Sequence, residues 1–191
     1  MSMGMKIIIN DLKKTNIINK SKFISIVKKV MNKEETEKYL SALKREYADA
    51  THICYAYTLP NMQKYSDDNE PSGTAGLPIL EVLNKNQVIY TLAIVVRYFG
   101  GIKLGSNGLI RAYTSGISEL IKDNIKDLEK GYLINITTSY NEIDSINYLL
   151  KDDIIIKKDY QEKINIEAIV KEKTLEKLSN VSYQILDEKI I

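Results

Sequence analysis

The residues able to do chemistry are few and lie close together. The chain has one histidine, His52, and one cysteine, Cys54, so neither an intrachain disulfide nor a multi-histidine metal site can be assembled. On an extended segment, side chains at i and i+2 share a face but stand too far apart for a tight Cys–His hydrogen bond. The pair therefore reads as a buried cysteine beside a hydrogen-bonded histidine. A second group is Asp67, Asp68 and Glu70, three carboxylates within four residues, followed by Pro71, Ser72, Gly73 and Thr74. They could hold Mg²⁺ or act as acid and base, but a divalent site also needs ligands from elsewhere. The favoured account is that they complement the positive end of the following helix or pair with Arg97, Lys103 or Arg111. Ser72 and Thr74 are ordinary capping residues whose hydroxyls also suit a phosphate.

The third group is the stretch Gly100-Gly101-Ile102-Lys103-Leu104-Gly105-Ser106-Asn107-Gly108. A strand that ends in a glycine turn and enters a helix presents unpaired backbone N–H groups, and glycine lets an anion approach the backbone closely. The Gly100-x4-Gly105 spacing begins like a P-loop, but Ser106-Asn107 stand where Lys and Ser or Thr are required, and no GxGxxG is present. A Walker-type NTPase is thus disfavoured. Arg97 before the loop, Lys103 within it and Arg111 one turn into the helix supply cations for an anion or nucleic-acid site; tight-turn packing is the competing account.

The surrounding sequence must position these groups. Residues 6–10 and 22–27 read as extended segments, and Asn32 with Glu35 forms a capping pair ahead of Tyr39, Leu40, Leu43 and Tyr47 at helical spacing. Thr51 to Leu59 alternates as a strand, with His52, Cys54, Ala56 and Thr58 on one face, and Pro60 ends it. Residues 61–72 read as a polar loop. The segment from Gly73 opens a helix, since Pro78 is tolerated only near a first turn. Val88 to Phe99 is nearly continuously apolar, as a strand buried on both faces would be. A helix then carries Leu109, Tyr113, Ile117, Leu120, Ile121 and Ile125 on one stripe. This order predicts an α+β layer with helices on one side of a sheet.

Beyond Gly131 there is no proline, histidine, cysteine or arginine, and the pattern reads strand (132–140), helix (141–151), strand (154–160), strand (163–171), helix (173–180), strand (182–187). That βαββαβ order is the ferredoxin-like arrangement. A domain boundary is therefore expected near residue 130, with domains at 1–130 and 131–191. The charge divides there too: residues 1–130 carry 19 basic and 14 acidic side chains, net +5, and 131–191 carry 8 and 11, net −3, within a total of +2. With 44% hydrophobic and 27% charged residues, the chain is too balanced for disorder. No run of eighteen apolar residues and no signal-peptide pattern occurs, so a cytoplasmic protein without a membrane partner is expected. The opening Met1-Ser2-Met3-Gly4-Met5 is set aside from fold reasoning.

Three stretches carry a family resemblance: Ala50-Thr51-His52-Ile53-Cys54-Tyr55-Ala56-Tyr57; Ser66 through Leu80, containing Asp67-Asp68-Asn69-Glu70-Pro71-Ser72-Gly73-Thr74; and Val96-Arg97-Tyr98-Phe99-Gly100-Gly101-Ile102-Lys103-Leu104-Gly105 continuing to Tyr113. Together with Ser21-Lys22-Phe23-Ile24 they closely resemble the signature of the YigZ/IMPACT family. Departures are Asn69 where glycine is usual, Leu77 where lysine is common, and Ser106-Asn107 where small residues are common. The resemblance implies a first domain similar to the second domain of ribosomal protein S5 and a ferredoxin-like second domain. It also marks His52, Asp67, Asp68, Glu70 and Tyr98 as family-motif residues. The implied function is translation-linked and non-enzymatic, with RNA, the ribosome or a translation-regulating protein as partner, no cofactor and no metal. Arg97, Gly100, Gly101, Lys103, Gly105, Arg111, Ser72 and Thr74 are the expected anion or nucleic-acid contacts. The alternative is a Mg²⁺-dependent phosphate-handling enzyme built on Asp67, Asp68 and Glu70. A proline-dipeptidase label carried by some members fits poorly with one histidine and one carboxylate cluster.

Overall fold

Alternating apolar runs and capped amphipathic segments build most of the first ten elements. They are β1 (Lys6–Ile8), β2 (Leu12–Ile18), β3 (Ser21–Lys29), α1 (Lys33–Glu46), β4 (His52–Leu59), β5 (Met62–Ser66), α2 (Gly76–Lys85), β6 (Thr91–Tyr98), α3 (Gly105–Lys122) and β7 (Ile125–Asp127). The structure is a computed structural model describing residues 5–190, so most of the opening methionine-rich segment lies outside the described residues. An antiparallel five-stranded sheet runs β2-β3-β6-β4-β5, and β1 pairs with β7 in a separate two-stranded ribbon.

The sheet is covered on both faces, which corrects the one-sided layer. Leu40 and Leu43 of α1 pack with Ile24, Ile53, Tyr57 and Ile94 on one face. Ile79 and Leu83 of α2 and Tyr113 and Ile117 of α3 pack with Phe23, Cys54 and Val95 on the other. The physical reason is visible in β4 and β6, whose residues are almost all buried whichever way they point. The capping pair forms: Glu35 N–H donates to Asn32 Oδ1 at 2.8 Å, and Met31 N–H donates to Glu35 at 2.8 Å.

Three strands lie where none was expected: α3 ends at Lys122, so Ile125, read as the end of its apolar stripe, instead opens β7 and pairs with Ile8 of β1. β5 occupies part of the polar loop, and β2 falls between the two extended segments. Both are sheet edges with mostly exposed residues, so neither shows alternation.

The chain divides between Asp127 and Leu128. The second unit contains β8 (Lys130–Thr138), α4 (Ile143–Leu149), β9 (Ile154–Tyr160), β10 (Ile164–Lys171), α5 (Glu172–Lys177) and β11 (Tyr183–Ile190). Its antiparallel sheet has the order β11-β8-β10-β9. Ile146, Leu150 and Leu178 from and beside its helices pack on Ile134, Ile136, Ile164 and Ile166. No helix among the described residues is long and apolar enough to cross a membrane.

Candidate anion-binding cleft

Strand register sets the floor of the site. Phe23 of β3, Arg97 of β6 and His52 of β4 are direct cross-strand partners. Arg97 therefore emerges on the α2/α3 face, among residues that are otherwise apolar, and is only 4% exposed. A guanidinium cannot be discharged and must find a carboxylate there. Glu70 answers it: Arg97 donates from Nη1 to Glu70 Oε1 at 2.5 Å, and Tyr113 O–H donates to the same oxygen at 2.7 Å. The guanidinium also lies about 5.3 Å from the Phe23 ring and 5.4 Å from the Phe99 ring. Among the described residues Arg97 Nε has no hydrogen-bond partner, an unmet buried donor of the kind that costs about 1–3 kcal/mol.

The acidic motif delivers Glu70 by spending its two neighbours on the backbone. Asp67 accepts from the N–H groups of Gly73 at 2.9 Å, Ala75 at 3.1 Å and Gly76 at 2.8 Å, satisfying the free donors at the start of α2. Asp68 accepts from Ile53 N–H at 2.6 Å, tying the loop to β4. The backbone turns through left-handed φ at Asp68 (43°) and Asn69 (66°), a conformation asparagine tolerates. The three carboxylates thus serve three different partners. Among the described residues no three His, Cys, Asp or Glu side chains are grouped to hold a metal ion.

His52 is oriented by the same loop. Its Nδ1 lies 2.8 Å from the Asp68 carbonyl oxygen, which can only accept, so Nδ1 carries a proton and Nε2 faces Glu70 Oε1 at 3.7 Å. Cys54 is fully buried, and its S–H donates to the Asp67 carbonyl at 3.0 Å. Burial, reinforced by the nearby carboxylates, pushes its thiol up to about 12. Burial also raises the Tyr113 hydroxyl, helped by Cys54 and Glu70. Both groups stay neutral at physiological pH.

The Ser21 hydroxyl at the start of β3 and the Thr51 hydroxyl just before β4 hold the glycine loop. Gly100 N–H donates to Ser21 Oγ at 3.1 Å, and Phe99 N–H donates to Thr51 Oγ1 at 2.9 Å. A Cβ on Gly100 would stand 2.0 Å from the Lys20 carbonyl carbon, so glycine is required for this approach. Gly105, at φ 69°, opens α3, whose N-cap Leu104 supplies no side-chain hydrogen bond. The first amides of α3 consequently lack intrahelical partners.

A cleft of about 420 Å³ lies over this arrangement. Pro71, Phe99, Leu104 and Leu109 form apolar walls, while Thr51, His52, Glu70, Arg97, Lys103, Gly105 and Ser106 contribute the polar lining. Of the residues expected to contact an anion, the cleft gathers Arg97, Lys103 and Gly105. It does not gather the others. Thr74 is buried with its hydroxyl donating to the Pro71 carbonyl at 2.6 Å, Ser72 is exposed outside the cleft, and Arg111 is exposed farther along α3. Gly100 and Gly101 shape the loop without lining the cleft. Asp67 and Asp68 serve the backbone, and Tyr98 points to the other sheet face, where its hydroxyl donates to Asp49 at 2.9 Å. Arg97 itself is buried and paired, so it sets the floor of the cleft and is no surface cation. Sequence reasoning missed Tyr113 as a polar group and Ser21, Phe23 and Phe99 as neighbours of Arg97. Phe99, exposed at the end of an apolar strand, was the one available signal.

The family described as Impact N-terminal domain matches residues 19–121. The chain is similar to the IMPACT family member YvyE of Bacillus subtilis, 37% identical over 163 residues covering 82% of this chain and 75% of that one. It is also similar to the IMPACT family member YigZ of Escherichia coli, 35% identical over 75% of this chain and 74% of the relative. A solved structure described as a crystal structure of a hypothetical protein superimposes with a TM-score of 0.62 at 28% identity, covering 97% of this chain and 98% of that chain.

Proposed function

The chain belongs to the IMPACT family, and from that premise we propose that it is a non-enzymatic, translation-associated cytoplasmic protein that binds RNA phosphate, on the ribosome or on free RNA. In this reading residues 1–130 are the S5 domain 2-like module and 131–191 the ferredoxin-like one. The order β11-β8-β10-β9 with both helices packed on the sheet supports the second assignment. One observation carries the binding role. The uncapped start of α3 and Lys103 stand together on the wall of a cleft, in the half of the chain with net charge +5. Unpaired amides at a helix start and a flexible ammonium are complementary to a phosphate. The family resemblance supplies the translation context.

The geometry favours this over a Mg²⁺-dependent enzyme. Asp67 is engaged with α2, Asp68 with β4, and Glu70 with Arg97 and Tyr113, leaving no converging carboxylates to share a metal. The test is co-sedimentation of the intact chain with ribosomes between about 50 and 200 mM salt. Binding should weaken steeply with salt, and Lys103→Ala should reduce the log–log salt slope by about one. No binding at the lowest salt, or binding indifferent to salt, would remove this reading.

A further inference from the structure

Four edge strands bound the two larger sheets, and they differ in how they are protected. An edge offers unpaired N–H and C=O groups to any other strand, and lysines, short length or a break in register ordinarily blunt it. β2 carries Lys13 and Lys14, held by Tyr47 and Glu119. β5 has five residues with Lys64 at its centre. β11 shifts register between Ile185 and Asp187 and continues through Asp187, Glu188 and Lys189. β9 also shifts register, opposite Glu167 and Ala168, yet it opens with Ile154, Ile155 and Ile156, which are 57%, 38% and 52% exposed. Among the described residues, none of the other three edges shows three consecutive exposed aliphatic side chains.

The charges around this run identify what fits it. From Lys151 to Asp159 the chain reads Lys-Asp-Asp-Ile-Ile-Ile-Lys-Lys-Asp, and every charge is mirrored by its opposite about Ile155. An antiparallel pair of two copies centred there sets Ile155 opposite itself and Ile154 opposite Ile156. It also sets Lys157 opposite Asp153, Lys158 opposite Asp152 and Asp159 opposite Lys151. Neighbouring registers lose this match, because like charges directly opposite destabilise a pair. Centring one residue later sets Asp153 opposite Asp159, and one residue earlier sets Lys151 opposite Lys157. An in-register parallel pair would stack each charge on its own copy.

The local structure singles out one of these charge pairs. Lys151, Asp152 and Asp153 lie in the turn leading into β9. Asp153 is already engaged, accepting from Lys171 N–H at 3.0 Å and from the Thr174 hydroxyl at 2.8 Å, and Lys157 stands 3.7 Å from Asp159. Lys158 donates to the neutral Asn147 side chain at 2.5 Å, and Asp152 is exposed. Lys158 and Asp152 are therefore the charges most readily answered across the pair.

We infer that β9 is a self-association edge: two copies of the chain pair antiparallel through β9 about a two-fold axis at Ile155. The contact is isologous, joins two four-stranded sheets into one of eight strands, and takes the isoleucine run out of water. It goes beyond the anion reading and does not depend on it.

The test is sedimentation equilibrium of the intact chain. Wild type should pass from the mass of one chain to that of two between about 1 µM and about 1 mM, as a small edge-to-edge interface would. Asp152→Lys and Lys158→Asp each turn two attractive contacts into repulsive ones and should weaken the dimer by at least about tenfold. Mixed in equal amounts, the two variants should recover wild-type association, since each supplies the charge that the other has lost. That recovery also excludes misfolding as the cause of the single losses. Ile155→Lys puts like charges on the axis and should suppress the dimer. A mass of one chain at the highest concentration overturns the inference, as does a dimer indifferent to Ile155→Lys or to the single reversals. A mixture that fails to recover overturns it too. A mass that climbs beyond two chains, as head-to-tail pairing of β9 with β11 would give, likewise overturns it.

Discussion

The two units solve the same problem, a sheet closed by helices, with different interiors. The second is closed by Ile134, Ile136, Ile146, Leu150, Ile164, Ile166, Ala168, Val170 and Leu178, with threonines as its buried polar residues. The first places Glu70 and Arg97 among comparable apolar side chains. The smaller unit demonstrates that this chain can close a sheet without a buried charge. Because desolvating two ions offsets most of their attraction, the pair in the first unit contributes little net stability. What it supplies is a polar floor to a cleft, at the place where the strand row Phe23–Arg97–His52 meets α3.

Removing one partner gives the largest expected effect. Glu70→Ala leaves a buried guanidinium without its carboxylate and should destabilise the first unit by about 3–5 kcal/mol in urea unfolding. Replacing both charges together, Glu70→Leu with Arg97→Met, should recover most of that loss while abolishing the RNA binding proposed above. A double variant as unstable as Glu70→Ala would break the comparison, because the pair would then be needed to close the first unit.

Cys54 gives the next effect, and it too belongs to the first unit alone. The folded thiol is raised to about 12 from an ordinary value of 9.0, chiefly by burial. Between those values the unfolded chain has lost the proton that the native chain keeps, so stability falls as pH rises through the window. The slope is about 1.4 kcal/mol per pH unit at most. Wild type and Cys54→Ala, unfolded in parallel from pH 8 to pH 11, should converge in stability toward the alkaline end. At pH 8 the folded thiol should resist alkylation that modifies it readily in urea; rapid labelling of the folded chain would show that the burial is not maintained.

Helix starts sharpen the contrast at smaller amplitude. Asp67 satisfies three amides at and before the start of α2 from outside the helix. Asp67→Ala should cost about 1–2 kcal/mol, as a lost charged cap does, and should also loosen the loop that carries Glu70. Reduced RNA binding by this variant at temperatures where it remains folded is the expected readout.

How far these features are legible in the sequence depends on whether their signal is local. β6 announces itself as a buried run, β4 as an alternating strand, α1 by Asn32 and Glu35, and the second unit by its element order. β2 and β5 do not, because edge strands facing solvent have no reason to alternate. The continuous apolar run of β6 already implied cover on both faces, and the one-sided layer overlooked that implication. Within the site, the acidic cluster reads correctly as a source of helix and arginine partners, but which carboxylate meets which partner depends on separations of 27 residues to Arg97 and 43 to Tyr113. Tyr113 sits on an apolar stripe and looks like core; its hydroxyl becomes informative only when Glu70 arrives beneath it. Arg97 reads as a surface cation until the register pairs it with Phe23 and His52.

The smallest effect lies in the second unit, where the start of α4 has no side-chain cap and the exposed carboxylate at that position turns back to the preceding loop. Glu142, just before α4, accepts from the Ser139 hydroxyl at 2.9 Å and the Thr138 hydroxyl at 3.2 Å. The Ser139 hydroxyl first, then its backbone N–H and the Thr138 hydroxyl, hold this carboxyl below its usual range. A carboxylate with a lowered folded value contributes stability above its unfolded pKa and loses it as pH falls through the folded value. Glu142→Gln should therefore remove a slight acid-side dependence of the second unit and leave the first unit and RNA binding unchanged. NMR titration should place the Glu142 midpoint below 4.5, the ordinary glutamate value. A midpoint at or above it would mean that the Ser139 and Thr138 contacts do not persist in solution, and the contrast would widen between an α2 start held by Asp67 and an α4 start without a side-chain cap.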